Sequence, residues 1–367
     1  MTQEKDIYQL LFQIDVWSPQ LRMNLHMTLL FLAIAVCMFF FILFSRYRDG
    51  FRFTRKRWMI KKSQQYITSY MFNEEIGQAS ADKFRQKHLI NHTRRQIFTH
   101  ALLELHKNIV GEFSDRLRQL YLHTGLHVHS KQKLYAGSWN VIADGINELA
   151  EMDMQQDTNL IRGFINHHNP ILRSAAQVAY LRLQRNTPFS FLDELQEPLT
   201  EWQQMQLASA AHKAHINMPS FKRWLSKSEL SIVIFSVRMI VLHNQHNAAS
   251  ELIELLRHPN KTVRAEVTKA IRQLEIYEAK DMLLELYDQE KIDLKLEIIK
   301  ALASIGDEDL LPFYKKVMES PERRLQLAAA KAIGRSGITG QELLQCIKND
   351  GDHALQPVAA NALDERI

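Results

Sequence analysis

The segment KTVRAEVTKAI (261–271) recurs three times in the sequence that follows it, and this recurrence decides the fold. The later copies are IDLKLEIIKAL (292–302), RRLQLAAAKAI (323–333) and HALQPVAANAL (353–363), at steps of 31, 31 and 30 residues. Each copy has an apolar residue at its third place and an alanine at its tenth. Because apolar residues three or four places apart lie on one side of an α-helix, each copy predicts an amphipathic helix.

Weaker copies precede these four. Ile240, Ala211 and Ala179 stand at the alanine place, at steps of 30, 29 and 32 residues, and 138–149 is a further weak unit. A second apolar stretch, such as 279–287, leads from one copy to the next. A single helical hairpin cannot bury its own apolar face, so neighbouring hairpins must stack. The sequence therefore predicts an all-α fold, a right-handed α-solenoid over 136–367.

The best-kept copies resemble the HEAT-repeat family in its short form of about thirty residues. The match rests on HPNKTVRAEVTKAI (258–271), with Pro259 and Arg264, and on NPILRSAAQVAY (169–180), with Arg173. The arginine is replaced by Lys295, Gln326 and Gln356 in the other copies. Gly306 and Gly334 follow their helices, so we expect both to end a helix with a positive φ.

The family resemblance implies a platform that binds other proteins. As a whole, the chain resembles bacterial membrane-anchored HEAT proteins, some of which accompany membrane glycosyltransferases. The expected partner is therefore another protein, with a membrane-embedded enzyme among the candidates.

An apolar run, LHMTLLFLAIAVCMFFFILF, occupies 25–44 near the N-terminus. Twenty helical residues span about 30 Å, the thickness of a bilayer's hydrocarbon core. A buried core helix would show a polar side, and a cleaved signal peptide would have basic residues before the run and small residues after it. Neither pattern is present, so the sequence predicts one transmembrane helix at 25–45, which precedes the solenoid.

A basic segment, 46–62, follows the apolar run and holds eight basic residues against Asp49 alone. The eight are Arg46, Arg48, Arg52, Arg55, Lys56, Arg57, Lys61 and Lys62. Basic residues mark the cytoplasmic flank of a membrane helix. We therefore expect a plasma (inner) membrane protein with 1–24 outside and the repeats in the cytoplasm. The segment also predicts contact with anionic lipid head groups, although fixing topology is an equally good explanation.

Charge outside the basic segment argues against nucleic-acid binding. The chain has a net charge of +5, and 46–62 contributes more than all of it. The helical linker region 63–135 is mildly basic and 136–367 is acidic, whereas a nucleic-acid binder would spread basic residues over a folded face.

Motif searches yield no catalytic constellation, so the sequence predicts no enzyme, no cofactor and no metal. The chain contains no P-loop, no dinucleotide-binding glycine pattern, and no HExxH, GxSxG or CxxC motif. The histidine groups considered as metal ligands are His123, His127 and His129; His88 and His92; and His167 with His168. Solvated histidines near helix ends explain them more simply.

One lysine position recurs in three successive repeats, as Lys269, Lys300 and Lys331. It lies opposite the apolar side, and it predicts a row of cations for an acidic partner segment. Lysine is also a good exposed helix former, which explains the row without a partner.

Three functions compete at this point. The first is a scaffold that localises or regulates a partner. The second is a HEAT-like enzyme acting on nucleic acid or a bound cofactor, and the third is a lipid-surface tether acting through 46–62.

Overall fold

A computed structural model describes residues 19–214, 216–306, 308–350 and 352–364. All regular structure within these ranges is helical. The α-helices are α1 Pro19–Phe72, α2 Gln78–His88, α3 His92–His106, α4 Glu112–His123, α5 Leu126–Lys133, α6 Trp139–Glu151, α7 Thr158–Arg162, α8 Pro170–Leu183, α9 Glu201–Lys213, α10 Leu230–Leu242, α11 Ala249–Leu255, α12 Lys261–Leu274, α13 Lys280–Gln289, α14 Ile292–Ile305, α15 Leu311–Met318, α16 Arg323–Arg335, α17 Gly337–Asp350 and α18 Gln356–Asp364. The chain divides into two compact units, Met1–His129 and Ser130–Ile367. Residues 1–18, most of the predicted outer segment, lie outside the described ranges.

Helix α1 is 54 residues long and carries the apolar run within it. The stretch Met23–Tyr47 has a mean hydropathy of 2.9 and none of it is buried by the rest of the protein. This length and composition are shared by membrane spans and signal sequences. The helix continues without a break through 46–62, so neither end of that predicted segment coincides with a helix end.

The last part of α1 changes character and becomes the core of the first unit. Met59, Ser63, Ile67 and Tyr70, spaced three or four apart, are all buried. These residues form one helical side, which packs against α3 and α4. Arg116 of α4 donates to the Tyr70 carbonyl oxygen at 2.7 Å and to that of Asn73 at 2.8 Å. A cation at the end of α1 thus satisfies carbonyls that have no partner within the helix.

The second unit is a row of long helices that repeats every 29 to 33 residues, as the sequence predicts. Contacts join α6 to α8 and α8 to α9, and further along they join α10, α12, α14, α16 and α18 in succession. A hydrogen bond from Arg238 to Gln204 links α10 to α9. The predicted alanine places face the core: Ala179, Ala211, Ile240, Ala270, Ala301, Ala332 and Ala362 are all buried. The solenoid of helical hairpins is therefore confirmed, while its right-handed sense stays a prediction.

Between the long helices, the connecting elements vary in length. They are full helices late in the row, such as α13 and α15, but only 3₁₀ turns at Ser190–Asp193 and Phe221–Trp224. Aromatic side chains fill the space at these short turns: Phe189, Phe191, Phe221, Trp224 and Phe235 are each at most 2 % exposed. Large rings thus replace a second helix as the covering layer.

The expectation that Gly306 and Gly334 end helices with a positive φ is wrong. Gly306 is extended, with φ −98° and ψ 155°, and Gly334 lies inside α16. A Cβ at Gly306 would collide with Leu310 and would lie 2.6 Å from the Leu302 carbonyl oxygen. Lack of space therefore explains the glycine at 306. The left-handed conformation is adopted instead by Glu275, with φ 52°, after α12.

Candidate partner-binding site

The predicted lysine row lies on the solvent side of three long helices. Lys269, Lys300 and Lys331 are all exposed. Within α14, the Lys300 Nζ lies 2.8 Å from the Glu297 carboxylate, and Lys269 lies 3.8 Å from that of Glu266 in α12. A glutamate one turn earlier thus partly balances two of the lysines. Their exposure agrees with the sequence, and their binding role stays a prediction.

Exposed apolar side chains occupy the solvent side of the preceding long helices. Ile171 of α8 is 57 % exposed, and Trp202 and Met205 of α9 are 66 % and 63 % exposed. A hydrogen bond of 2.6 Å between Ser174 and Gln206 holds these two helices side by side. We call these three exposed side chains the apolar patch; apolar side chains exposed on neighbouring helices are candidates for contact with a partner.

Arg238 of α10 connects the apolar patch to the lysine row. Its Nη1 donates to the Gln204 side chain of α9 at 2.9 Å, and its Nε donates to Glu266 of α12 at 2.7 Å. Gln204 adjoins Met205 in sequence, and Glu266 lies one turn from Lys269. We define the bipartite strip by its exposed residues: Ile171, Trp202 and Met205 at an apolar end on α8 and α9, and Lys269, Lys300 and Lys331 at a basic end on α12, α14 and α16.

A groove of about 260 Å³ lies in the middle of the strip, between α10 and α12. Its lining combines the apolar Val241 and Leu242 with three cations and one carboxylate: Arg238, Lys269, Arg272 and Glu266. Leu242 is 58 % exposed, and the Arg272 Nε has no hydrogen-bond partner among the described residues. Because that nitrogen is itself buried, the exposed Lys269 beside the apolar wall is the cation that a carboxylate of an amphipathic segment would meet.

Sequence reasoning found the lysine row but missed the apolar end. A lysine repeated in register is visible as a pattern, whereas Ile171 and Trp202 differ in type and each occurs once. The register itself could have found Ile171, because it corresponds to Thr262 on the exposed side of α12.

The basic segment is extended along α1. Arg46, Arg55, Lys56, Arg57 and Lys61 are exposed and Lys62 is half-buried. The side chains of Arg48 and Arg52 lie outside the described residues. At 1.5 Å per residue, Arg46 and Lys62 are separated by about 24 Å along the helix axis. The basic side chains are therefore spread along the axis of α1, and their contact with lipid stays a prediction.

The histidines considered as metal ligands serve loops and helix packing. Nδ1 of His167 accepts from the Asn169 amide, and Nδ1 of His258 accepts from the Asn260 amide, both at 3.0 Å. His123 Nδ1 lies 2.9 Å from the Tyr70 hydroxyl, and the ring of His92 meets that of His129 at 5.3 Å. Among the described residues, no three His, Cys, Asp or Glu side chains are grouped as a metal site would require.

The arginine of the repeat motif joins helix to loop. Arg264 Nη1 donates to the His258 carbonyl oxygen, six residues earlier, at 2.7 Å, and its Nε donates to Glu290 at 2.6 Å. Arg173 makes the same loop contact with His167 at 2.9 Å. Gln326, which replaces the arginine, donates to the Ser320 carbonyl oxygen at 2.9 Å, again six residues earlier. The replacement therefore preserves the loop bond and loses the charge.

Stacked helical hairpins with buried alanines in register define this protein as an α-solenoid repeat protein. A family model of HEAT repeats matches residues 249–334 and 281–364. The chain is therefore a HEAT-repeat protein. No curated protein matches the sequence.

Two solved structures are similar at low identity. The complex of CpcE and CpcF of phycocyanin lyase from Nostoc sp. PCC7120 has 19 % identity and a TM-score of 0.32, over 56 % of this chain and 75 % of that one. Human deoxyhypusine hydroxylase in complex with glycerol has 15 % identity and a TM-score of 0.27, over 78 % and 96 %. At these scores, neither likeness bears on activity or partners.

Proposed function

We propose that this protein is a membrane-anchored HEAT-repeat scaffold, not an enzyme, that holds a partner protein at the cytoplasmic face of the plasma (inner) membrane. The observation that supports this most directly is the bipartite strip, which exposes Trp202 at one end and the lysine row at the other. A membrane enzyme such as a glycosyltransferase is the partner class suggested by the resemblance.

Membrane anchoring is supported by the exposure of the apolar side chains in Met23–Tyr47. Phe31 and Phe41 are 66 % and 72 % exposed, and no other described part of the chain buries this stretch. Transfer of each such side chain out of water is worth roughly 2 kcal/mol. A bilayer supplies that cover for a helix of this length.

Distance from the apolar stretch, measured along the axis of α1, divides the basic segment into two parts. Arg46 lies at the end of the apolar stretch, whereas Lys61 lies about 21 Å beyond Tyr47 along the helix. Each interfacial layer of a bilayer is only about 5–8 Å deep. We infer that Arg46, Arg48 and Arg52 contact anionic head groups, and that Lys61 and Lys62 do not when the helix stands upright.

The strip indicates the chemistry of the partner segment. From α9 to α16 there are four steps between helices of 8–10 Å each, roughly 35 Å in total. An extended segment of about eleven residues covers that distance. Apolar side chains at one of its ends would meet Trp202 and Met205, and carboxylates at the other would meet the lysine row. Residues 136–367 carry a net negative charge, so the lysine row is a locally positive part of that region.

Two defined probes test the scaffold. The first is an eleven-residue peptide with tryptophan and leucine at one end and four glutamates at the other, titrated against the full chain in detergent. We expect it to bind more tightly than a scrambled peptide of the same composition. Reversal of Lys269, Lys300 and Lys331 to Glu should abolish the preference. Reversal of Lys315, Lys316 and Lys348, which are exposed on the connecting helices α15 and α17, should preserve it.

The second probe is a photo-crosslinking amino acid placed at position 202 or 300 in cells. We expect one and the same protein to crosslink from both positions, and to disappear when the lysine row is reversed. Unrelated products from the two positions, or an unchanged product after charge reversal, would refute a shared partner on the strip.

A further inference from the structure

A cleft of about 830 Å³ opens in the first unit between α1 and α2. Lys62 enters it from α1, and Lys83, Lys87 and His88 enter it from α2. The remaining lining residues are neutral: Gln64, Gln65, Tyr66, Thr68, Ser69, Ser80 and Phe84. Three lysines therefore converge on one space whose lining contains no carboxylate.

The lysines of this cleft have no carboxylate partner in the part of the chain that the structure describes. None of Lys62, Lys83 and Lys87 forms an ion pair with a described residue. Asp82, the acid of α2, is engaged by Arg85 at 2.9 Å. Lys83 and Lys87 also stand four residues apart on one helical side, where like charges destabilise a helix. An arrangement that costs stability without internal compensation points to an external anion.

Packed aromatic rings form the floor of the cleft. The Tyr66 ring stacks on Phe84 at 3.9 Å with 9° between the planes, and Phe84 meets Phe98 of α3 at 5.2 Å. The Tyr66 hydroxyl lies 3.2 Å from the Ser80 Oγ, which joins α1 to α2. Burial raises the pKa of the Tyr66 hydroxyl, so it stays a neutral hydrogen-bonding group. The lysines thus project from a packed wall, as a preorganised binding site requires.

We propose that this cleft binds a phosphate-bearing ligand, with Lys62, Lys83 and Lys87 donating hydrogen bonds to its phosphate oxygens. Lysine ammonium groups are compact point charges that bind phosphate without a fixed geometry. The Ser80 and Ser69 hydroxyls on the same lining can supplement them. Tyr66 and Phe84 give the ligand an apolar surface to lie against.

The pKa of His88 depends on the charge within the cleft. Burial lowers its pKa, and the neighbouring charges of Lys62, Lys87 and Arg94 lower it further. A bound phosphate would offset those charges and stabilise the protonated ring. Ligand binding should therefore raise the pKa of His88.

The ligand is soluble, given the position of the cleft on α1. Lys62 lies about 22 Å along the helix beyond Tyr47, past the interfacial layer of an upright span. The assignment of the phosphate to a soluble ligand, and not to a lipid, rests on the proposed membrane anchoring. The phosphate chemistry of the cleft rests on its lining alone.

Pyrophosphate is the probe for the test, with the full chain in nanodiscs of neutral phosphatidylcholine. Calorimetry should detect binding to the wild type, and NMR should show a higher pKa of His88 when pyrophosphate is present. Changing Lys62, Lys83 and Lys87 together to Gln should weaken binding about tenfold or more. The matched control changes Lys213, Lys261 and Lys316 to Gln and should bind within about twofold of the wild type. An unchanged melting temperature excludes misfolding.

Several results would overturn the proposal. No pyrophosphate binding by the wild type is one, and equal weakening in the control variant is another. A glutamate tetrapeptide that binds as tightly as pyrophosphate would show a site for any anion. Nanodiscs with anionic lipid and no soluble phosphate test the source: a raised His88 pKa there, lost in the triple variant, would replace the soluble ligand by a lipid head group.

Discussion

Two apolar helices of this chain have opposite surroundings. In α10, LSIVIFSVRMIVL, the side chains of Val233, Phe235 and Ile240 are at most 1 % exposed. In the apolar stretch of α1, Phe31 and Phe41 are 66 % and 72 % exposed. Both runs are rich in the same residue types, so composition does not separate them.

The two helices differ in length and in their hydrogen bonds to neighbouring helices. Helix α10 has 13 residues, and Arg238 ties it to the helices on both sides. The apolar stretch of α1 has 25 residues and no charged side chain between 23 and 45. Neighbours about thirteen residues long can cover the first, whereas the second has the length of a bilayer's hydrocarbon core. A short apolar helix inside a repeat therefore need not predict a membrane span.

The largest effect is expected from charges in the apolar stretch. Changing Leu32 and Ala35 to Arg places two cations at the centre of the proposed span, at about 2.5–3.5 kcal/mol each. We expect the protein to leave the membrane fraction after a carbonate wash. Changing the same two residues to Val should leave it there. Retention of the double-arginine variant would contradict a membrane span.

Removal of a ring from α10 should have the next largest effect. Phe235 packs among Phe189 and Phe221 with ring centroids 6.1 Å away. Phe235→Ala leaves a cavity and should lower the free energy of unfolding by about 3–5 kcal/mol, measured by urea titration in detergent. The matched Phe31→Ala, in α1, should not change it. Equal effects at both positions would show that α1 is also packed in a protein core.

Polar attachment between repeats can be tested at Arg264. Arg264→Ala leaves Glu290, whose side chain is 8 % exposed, buried without its partner, and should cost roughly 3 kcal/mol. Arg264→Gln should recover part of this, because Gln326 makes the same loop bond in a later repeat. If glutamine is as costly as alanine in urea unfolding, the loop bond contributes nothing.

The smallest effect concerns pH. Burial lowers the pKa of His167, and His168 and Arg173 lower it further. The folded protein thus prefers the neutral ring, while the unfolded chain titrates near the ordinary value of about 6.5. The contribution of His167 to stability is present above that value and is lost as the pH falls below it. His167→Gln should make unfolding between pH 7.5 and 5.5 less dependent on pH; an unchanged dependence would count against it.

The sequence predicts the repeats well because burial acts on a periodic pattern. An alanine such as Ala301 is needed wherever two helices approach closely, so it recurs in register and is visible without a structure. Gly306 was misinterpreted because two different causes, a positive φ and a lack of space, select the same residue. Only the positions of Leu302 and Leu310 distinguish them.

The candidate sites are less predictable because they join residues that are distant in sequence. The lysine row repeats in register and was found, whereas the cleft depends on α2 folding back against α1. Lys62 and Lys83 belong to different helices, and no local pattern connects them. The continuity of α1 is hidden in the sequence for a related reason: the apolar run ends at 44, a basic segment follows, and a one-sided pattern begins at Met59, so the changes in composition resemble domain boundaries.

In the proposed membrane arrangement, the unbroken α1 would connect the bilayer to the first unit as one continuous helix. From Tyr47 to Phe72 it extends about 38 Å, and its far end is fastened by Arg116 to the packed helices of the first unit. With the apolar stretch set in a bilayer, a tilt of about 20° would carry that far end sideways by roughly 13 Å. Bilayer thickness, which sets such tilts, would thereby decide how far from its anchor point the first unit reaches.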